Sequence, residues 1–104
     1  MWFENEWFRE NGVNASNCQV ISVIGDSMDP VLPDGCRVLL DLGNRELHDG
    51  RIYAVRIGDV LVVKRAVVGA GGWSLVSENP AWEPVPLGEG AQVIGRVRCT
   101  VVTM

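Results

Sequence analysis

The spacing of hydrophobic and polar positions changes period once along this chain. In residues 2–10, WFENEWFRE, Phe3 and Trp7 stand at i and i+4, and Asn11-Gly12 follows as a stop, so a short amphipathic helix is expected. From Gln19 onward the apolar residues come in short β-branched runs bounded by turn formers. Gln19–Ile24 is one such run and ends in Gly25-Asp26-Ser27-Met28-Asp29-Pro30, which cannot continue a regular strand. Cys36–Leu42 follows the breaker Pro33-Asp34-Gly35. Arg51–Ile57 and Val60–Val68 are separated only by Gly58-Asp59, a strong hairpin signal. Gly69–Gly72 permits another tight reversal before Trp73–Ser77. The closing segment alternates, placing Val93, Gly95, Val97, Cys99 and Val101 on one face and Gln92, Arg96, Arg98 and Thr100 mostly on the other. One helix followed by regularly spaced short strands predicts an all-β, mainly antiparallel fold.

Composition narrows the class. A chain of 104 residues, 47% hydrophobic, is the size of one domain with one core. It has no apolar run of the ~18 residues a membrane-spanning helix needs. Met1-Trp2-Phe3-Glu4 lacks the basic start and apolar stretch of a signal peptide, so a cytoplasmic protein is expected. Cys18, Cys36 and Cys99 are odd in number, scattered and without CxxC spacing, and are read as reduced, buried apolar residues rather than metal ligands. His48 is the only histidine and sits in the turn-like Leu47-His48-Asp49-Gly50, which leaves little material for a histidine-based triad or metal site. No metal and no cofactor are expected. The net charge is −4 and the basic residues are dispersed, so this chain is not expected to bind DNA by itself.

Lys64 stands out from its strand. Counting by two gives Val60, Val62, Ala66 and Val68 on its face, whereas Arg65 points the other way beside Leu61, Val63 and Val67. One of these cations must therefore occupy an apolar setting, unless one face is open to solvent. A serine hydroxyl is a poor nucleophile until a base takes its proton. Lysine, with an ordinary pKa of ~10.4, can be that base only when neutral. Desolvation penalises the ammonium, and a penalty of roughly 4 kcal/mol would bring it near neutrality. Arginine cannot serve, because it stays protonated. Lys64 is thus a candidate base, expected to be largely buried with Arg65 more exposed, but periodicity does not choose its serine.

A family resemblance does choose one. Gly25-Asp26-Ser27-Met28-Asp29-Pro30-Val31-Leu32-Pro33-Asp34-Gly35 resembles the serine box of LexA-type S24 peptidases and phage repressors. Gly50–Asp59, continuing through Val60-Leu61-Val62-Val63-Lys64-Arg65, resembles their lysine box. Ser77-Glu78-Asn79-Pro80 is similar to the short motif before their last strands, and Val93-Ile94-Gly95-Arg96-Val97 to the start of their closing strand. The likeness covers roughly residues 19–102, in matching order.

The resemblance implies a LexA-like β-clip, the signal-peptidase type of fold, with residues 1–104 forming one C-terminal domain and residues 1–18 its helix and linker. It implies Ser27 as nucleophile, Lys64 as general base, and the backbone N–H groups of Asp26 and Ser27 as oxyanion donors. Met28 and Pro30 would shape the turn that holds Ser27. The family's usual reaction is cleavage of one bond in its own linker, between a small residue and Gly, when a recombinase filament forms after DNA damage. Partners implied are a second copy of the chain and that filament; the apolar closing strand around Val97–Val102 is the candidate contact surface. DNA would be reached only through an N-terminal domain missing from this chain.

Two departures stand out. Cys36 occupies a position where relatives often carry an acidic residue. Residues 1–18 contain no Ala-Gly or Cys-Gly dipeptide and no helix-turn-helix, and Ala70-Gly71 lies in a hairpin turn beyond the lysine. A fragment is preferred to a stand-alone domain. Three functions remain: an autoproteolytic regulator domain, a non-cleaving oligomerisation domain of a phage-type repressor, and a signal-peptidase relative, which would need a membrane anchor.

Overall fold

The computed structural model describes residues 5–102. Helix α1, Asn5–Glu10, ends at the expected Asn11-Gly12, where the Asn11 N–H and side-chain amide both donate to the Trp7 carbonyl. Phe3, one half of the expected Phe3–Trp7 pair, lies outside the described residues. A 3-10 turn at Ala15–Asn17, not foreseen from the sequence, leads into the strands and is capped by the Asn14 side chain.

The strands are β1 (Cys18–Ser22), β2 (Arg37–Asp41), β3 (Ile52–Ile57), β4 (Val60–Gly69), β5 (Gly72–Val76), β6 (Val85–Pro86) and β7 (Ala91–Val101). All neighbours pair antiparallel, in one seven-stranded sheet of order β1-β2-β7-β3-β4-β5-β6. The all-β, mainly antiparallel architecture read from the sequence is therefore the observed one. The β3–β4 hairpin closes at Gly58-Asp59, with Ile57 paired to Val60. Gly58 has φ +61, as the first residue of a Gly-X hairpin turn requires. Of the strands, only the short β6, which carries a proline, escaped notice.

Both faces of the sheet are covered. Val23, Met28, Leu32 and Val38 form one buried cluster, with Ile21, Cys36, Ile52, Val63 and Val97 against it. Tyr53, Val55, Ala66 and Leu75 form a second, joined by Val62, Trp73, Val93 and others. Val62 and Val63 are adjacent in β4 yet pack into different clusters, which is the period-2 rule for a strand buried on two sides.

The closing strand departs from its expected alternation. Val93 packs in the second cluster and Val97 in the first. The cause is a register shift: Ala54 pairs with Gly95 but Val55 with Val93, so Ile94 is an inserted residue that flips the faces. A second shift, around Arg98, lies against β2. β7 runs between β2 and β3, and a Cβ on Gly95 would stand 2.5 Å from the Asp41 carbonyl oxygen. Only glycine lets these backbones approach so closely. The Val97–Val102 segment is accordingly not an apolar outer surface. Val101 is buried, Val97, Arg98 and Cys99 are partly buried, and Thr100 and Val102 are exposed.

Candidate active site

Ser27 sits in the loop between β1 and β2. The loop is closed at its base by the Val23 N–H donating to the Cys36 carbonyl at 2.8 Å and the Gly35 N–H donating to the Val23 carbonyl at 2.7 Å. Gly25 N–H donates to the Asp34 carboxylate at 2.8 Å. Met28, 1% exposed, and Leu32 turn inward and fill the first cluster. Burying the residue next to it fixes the tip, leaving Ser27 partly exposed. The Asp29–Pro30 peptide is cis.

A second chain segment, 52 residues away, clamps this tip. The Asn79 N–H donates to the Ser27 carbonyl at 2.9 Å, and the Asn79 side-chain amide donates to the Asp26 carbonyl at 3.2 Å. Trp82 Nε1 donates to the Asp26 carboxylate at 3.1 Å. The carbonyls at 26 and 27 are thereby occupied, while their N–H groups have no acceptor among the described residues.

Lys64 belongs to β4. Its Nζ donates to Ser77 Oγ at 2.8 Å and lies 5.4 Å from the centre of the Trp82 ring, within cation–π range. Burial among apolar neighbours lowers its pKa from the ordinary lysine value. Contrary to expectation, Lys64 and Arg65 are both only partly buried. Arg65 is held on the other face by an ion pair with Glu78 and a hydrogen bond to the Gly50 carbonyl, which draw its side chain in.

Ser27 and Lys64 line the same cleft, of about 510 Å³, together with Ile21–Asp26, Val60–Val63 and Trp82. The lining is mostly apolar with a few polar groups, as in small-ligand and peptide sites. The two strands that bound it each present an unpaired edge. β1 pairs only with β2, and residues 60–64 of β4 pair only with β3, because β5 joins β4 from Arg65 onward. Unpaired edges carry free N–H and C=O groups that can take up another strand.

The remaining chemistry-bearing residues lie elsewhere. His48 is exposed in a loop, its N–H donating to the Tyr53 hydroxyl. Cys18, Cys36 and Cys99 are free thiols, partly rather than fully buried, and burial pushes each of them up in pKa. Among the described residues no group of three or more His, Cys, Asp or Glu is arranged to hold a metal ion, and no helix is long and apolar enough to cross a membrane.

Sequence reasoning gave no role to Ser77, Asn79 or Trp82. For Ser77 a signal was present. Gly69 pairs with Gly72 and Arg65 with Val76, so counting back from the Ala70-Gly71 turn sets Ser77 directly opposite Lys64. No comparable local rule reaches Asn79 or Trp82.

Comparison with known proteins is consistent with this architecture. The family model described as Peptidase S24-like matches residues 1–98. The chain is 36% identical over 100 residues to an uncharacterised HTH-type transcriptional regulator of Haemophilus influenzae, covering 91% of this chain and 42% of that protein. It is 37% identical over 76 residues to the repressor protein CI of Enterobacteria phage phi80, covering 71% of this chain and 32% of that repressor. The chain thus spans less than half the length of either relative. On the strength of the family match and these relatives, the chain belongs to the Peptidase S24-like family.

Proposed function

We propose that residues 1–104 are the C-terminal, self-cleaving domain of a repressor-type transcriptional regulator, acting in the cytoplasm. Ser27 attacks a peptide bond in the parent's own linker. Neutral Lys64 accepts the hydroxyl proton, and the N–H groups of Asp26 and Ser27 receive the oxyanion. Lys64 then returns the proton to the leaving amine, and water releases the acyl group from Ser27. The observation that carries this reading is the shared cleft, lined by Ser27 and a partly buried Lys64 and bounded by two unpaired strand edges. An extended linker segment would pair with those edges and pass its scissile bond between the two side chains.

Support for a regulator comes from the two relatives, whose names describe an HTH-type transcriptional regulator and a repressor. DNA binding would reside in the parent outside this domain. A two-fold dimer would match paired half-sites, and a recombinase filament would act as the trigger. A non-cleaving oligomerisation domain is the second reading. It is favoured by one specific observation: among the described residues the hydrogen bond of Lys64 Nζ goes to Ser77 Oγ and none joins it to Ser27.

Full-length parent protein, held at alkaline pH with and without activated recombinase filament, tests the choice. Two fragments are expected from the wild type, with a rate that rises as Lys64 loses its proton. Ser27→Ala abolishes cleavage. Lys64→Arg is nearly as damaging, since arginine keeps its proton. A parent that stays intact under both conditions favours the oligomerisation domain, and fragments persisting in Ser27→Ala reject Ser27 as nucleophile.

A further inference from the structure

We propose that Ser77 is a positioning residue for Lys64, anchoring one N–H of its amine so that the remaining lone pair faces Ser27. The inference rests on the assignment of Lys64 as base. Three observations converge on it. Ser77 is one of two buried polar or charged residues among those described, at 8% exposure, and its hydroxyl is 2.8 Å from Nζ. It occupies the next position opposite Lys64 beyond the Arg65–Val76 pair, so two paired strands fix its place. Nζ also lies 5.4 Å from the centre of the Trp82 ring, whose face attracts an ammonium but offers no lone pair to direct an N–H.

The chemistry needs such an anchor. A neutral amine has two N–H bonds and one lone pair, and only the lone pair can take the Ser27 proton. On a four-carbon stem the nitrogen would otherwise turn outward to water, as partly buried lysines do. A hydroxyl oxygen accepting one N–H restricts rotation about the last bond and keeps the nitrogen beside the cleft. The same oxygen also accepts from the ammonium, so it favours the protonated form. Removing it therefore does two separable things: the base is less well aimed, and its proton is lost at lower pH.

The test uses this 104-residue chain and a fluorophosphonate probe, with labelling at Ser27 followed by mass spectrometry from neutral to alkaline pH. In the labelling step the Ser27 Oγ–P bond forms, the P–F bond breaks, fluoride leaves and the hydroxyl proton passes to Lys64. Wild type is expected to label at Ser27, and Ser27→Ala and Lys64→Ala are not. Ser77→Ala is expected to lower the limiting rate at high pH about ten- to a hundredfold, and to move the midpoint of the pH profile downward. Ser77→Thr keeps the hydroxyl and is expected to restore both. NMR titration of the Lys64 side chain, which needs no probe, is expected to show the same downward move in Ser77→Ala.

Wild-type rate and midpoint in Ser77→Ala would overturn the proposal while leaving the base intact. So would a slow Ser77→Ala with an unmoved midpoint that threonine does not rescue, the mark of a merely structural hydroxyl. Wild-type labelling that does not depend on Lys64 would reject the base itself, and the positioning role with it.

Discussion

Replacing Asn79 by alanine probes the link between the two chain segments that build the cleft. The Asn79 side chain makes two hydrogen bonds, donating to the Asp26 carbonyl at 3.2 Å and accepting from the Ala81 N–H at 3.0 Å. Its main-chain N–H also donates to the Ser27 carbonyl, and that bond survives the substitution. A net contribution of about 0.5–1.5 kcal/mol per bond is ordinary, and both of these are solvent-exposed, so each belongs at the low end. The expected loss is about 1 kcal/mol, or roughly 4–8 °C in Tm for a domain of this size. Urea and thermal unfolding followed by circular dichroism measure it, with the denaturant slope expected to stay unchanged. A loss below about 0.3 kcal/mol would mean that the side chain does not hold the serine loop. A loss above about 3 kcal/mol would refute the local accounting, because the main-chain bond or the Trp82 contact would have failed as well.

Gly95→Ala is expected to cost about 3 kcal/mol or more, since its Cβ would meet the backbone at Asp41 and one strand must shift; a denaturant midpoint close to wild type would show that β7 yields easily. Tyr53→Phe removes the hydroxyl that donates to the Glu46 carbonyl at 2.9 Å and accepts from the His48 N–H at 2.9 Å, with an expected loss of about 1–3 kcal/mol by chemical denaturation. Lys64 gives a pH-dependent term of definite sign. Its native pKa is lowered by burial, so the unfolded chain binds the proton more tightly and the charge works against folding at neutral pH. That penalty is complete below the native value and disappears as pH rises through the window between it and the ordinary lysine value. The stability of Lys64→Met relative to wild type should therefore fall between neutral and strongly alkaline pH, and a difference that grows with pH would reverse the sign.

Much of the fold was legible because its signals are local. The β3–β4 hairpin is written in Gly58-Asp59 between two apolar runs, and β1, β2 and β5 begin and end within a few residues of their turn formers. The candidate pair was only half legible in this way. Alternation singled out Lys64, whereas Ser27 came from family resemblance, since a serine in a turn has no periodicity to mark it. What alternation could not foresee is a bulge: Ile94 is as apolar as its neighbours, yet inserting it sends Val93 and Val97 to opposite faces. Nor could it foresee that Lys64 would be only partly buried, because that depends on the cleft beside it and on how much of β4 the loop after β1 covers.

Amino-acid order by itself determined the antiparallel class, the hairpins and a lysine set among valines, because turn chemistry and side-chain period act over a few residues. Tertiary structure alone decided that β7 runs between β2 and β3, that Asn79 and Trp82 reach back 52 and 56 residues to Ser27 and Asp26, and that Lys64 bonds to Ser77. These are contacts between segments far apart in the chain. They form only where the folded sheet brings those segments together, and no local spacing records them.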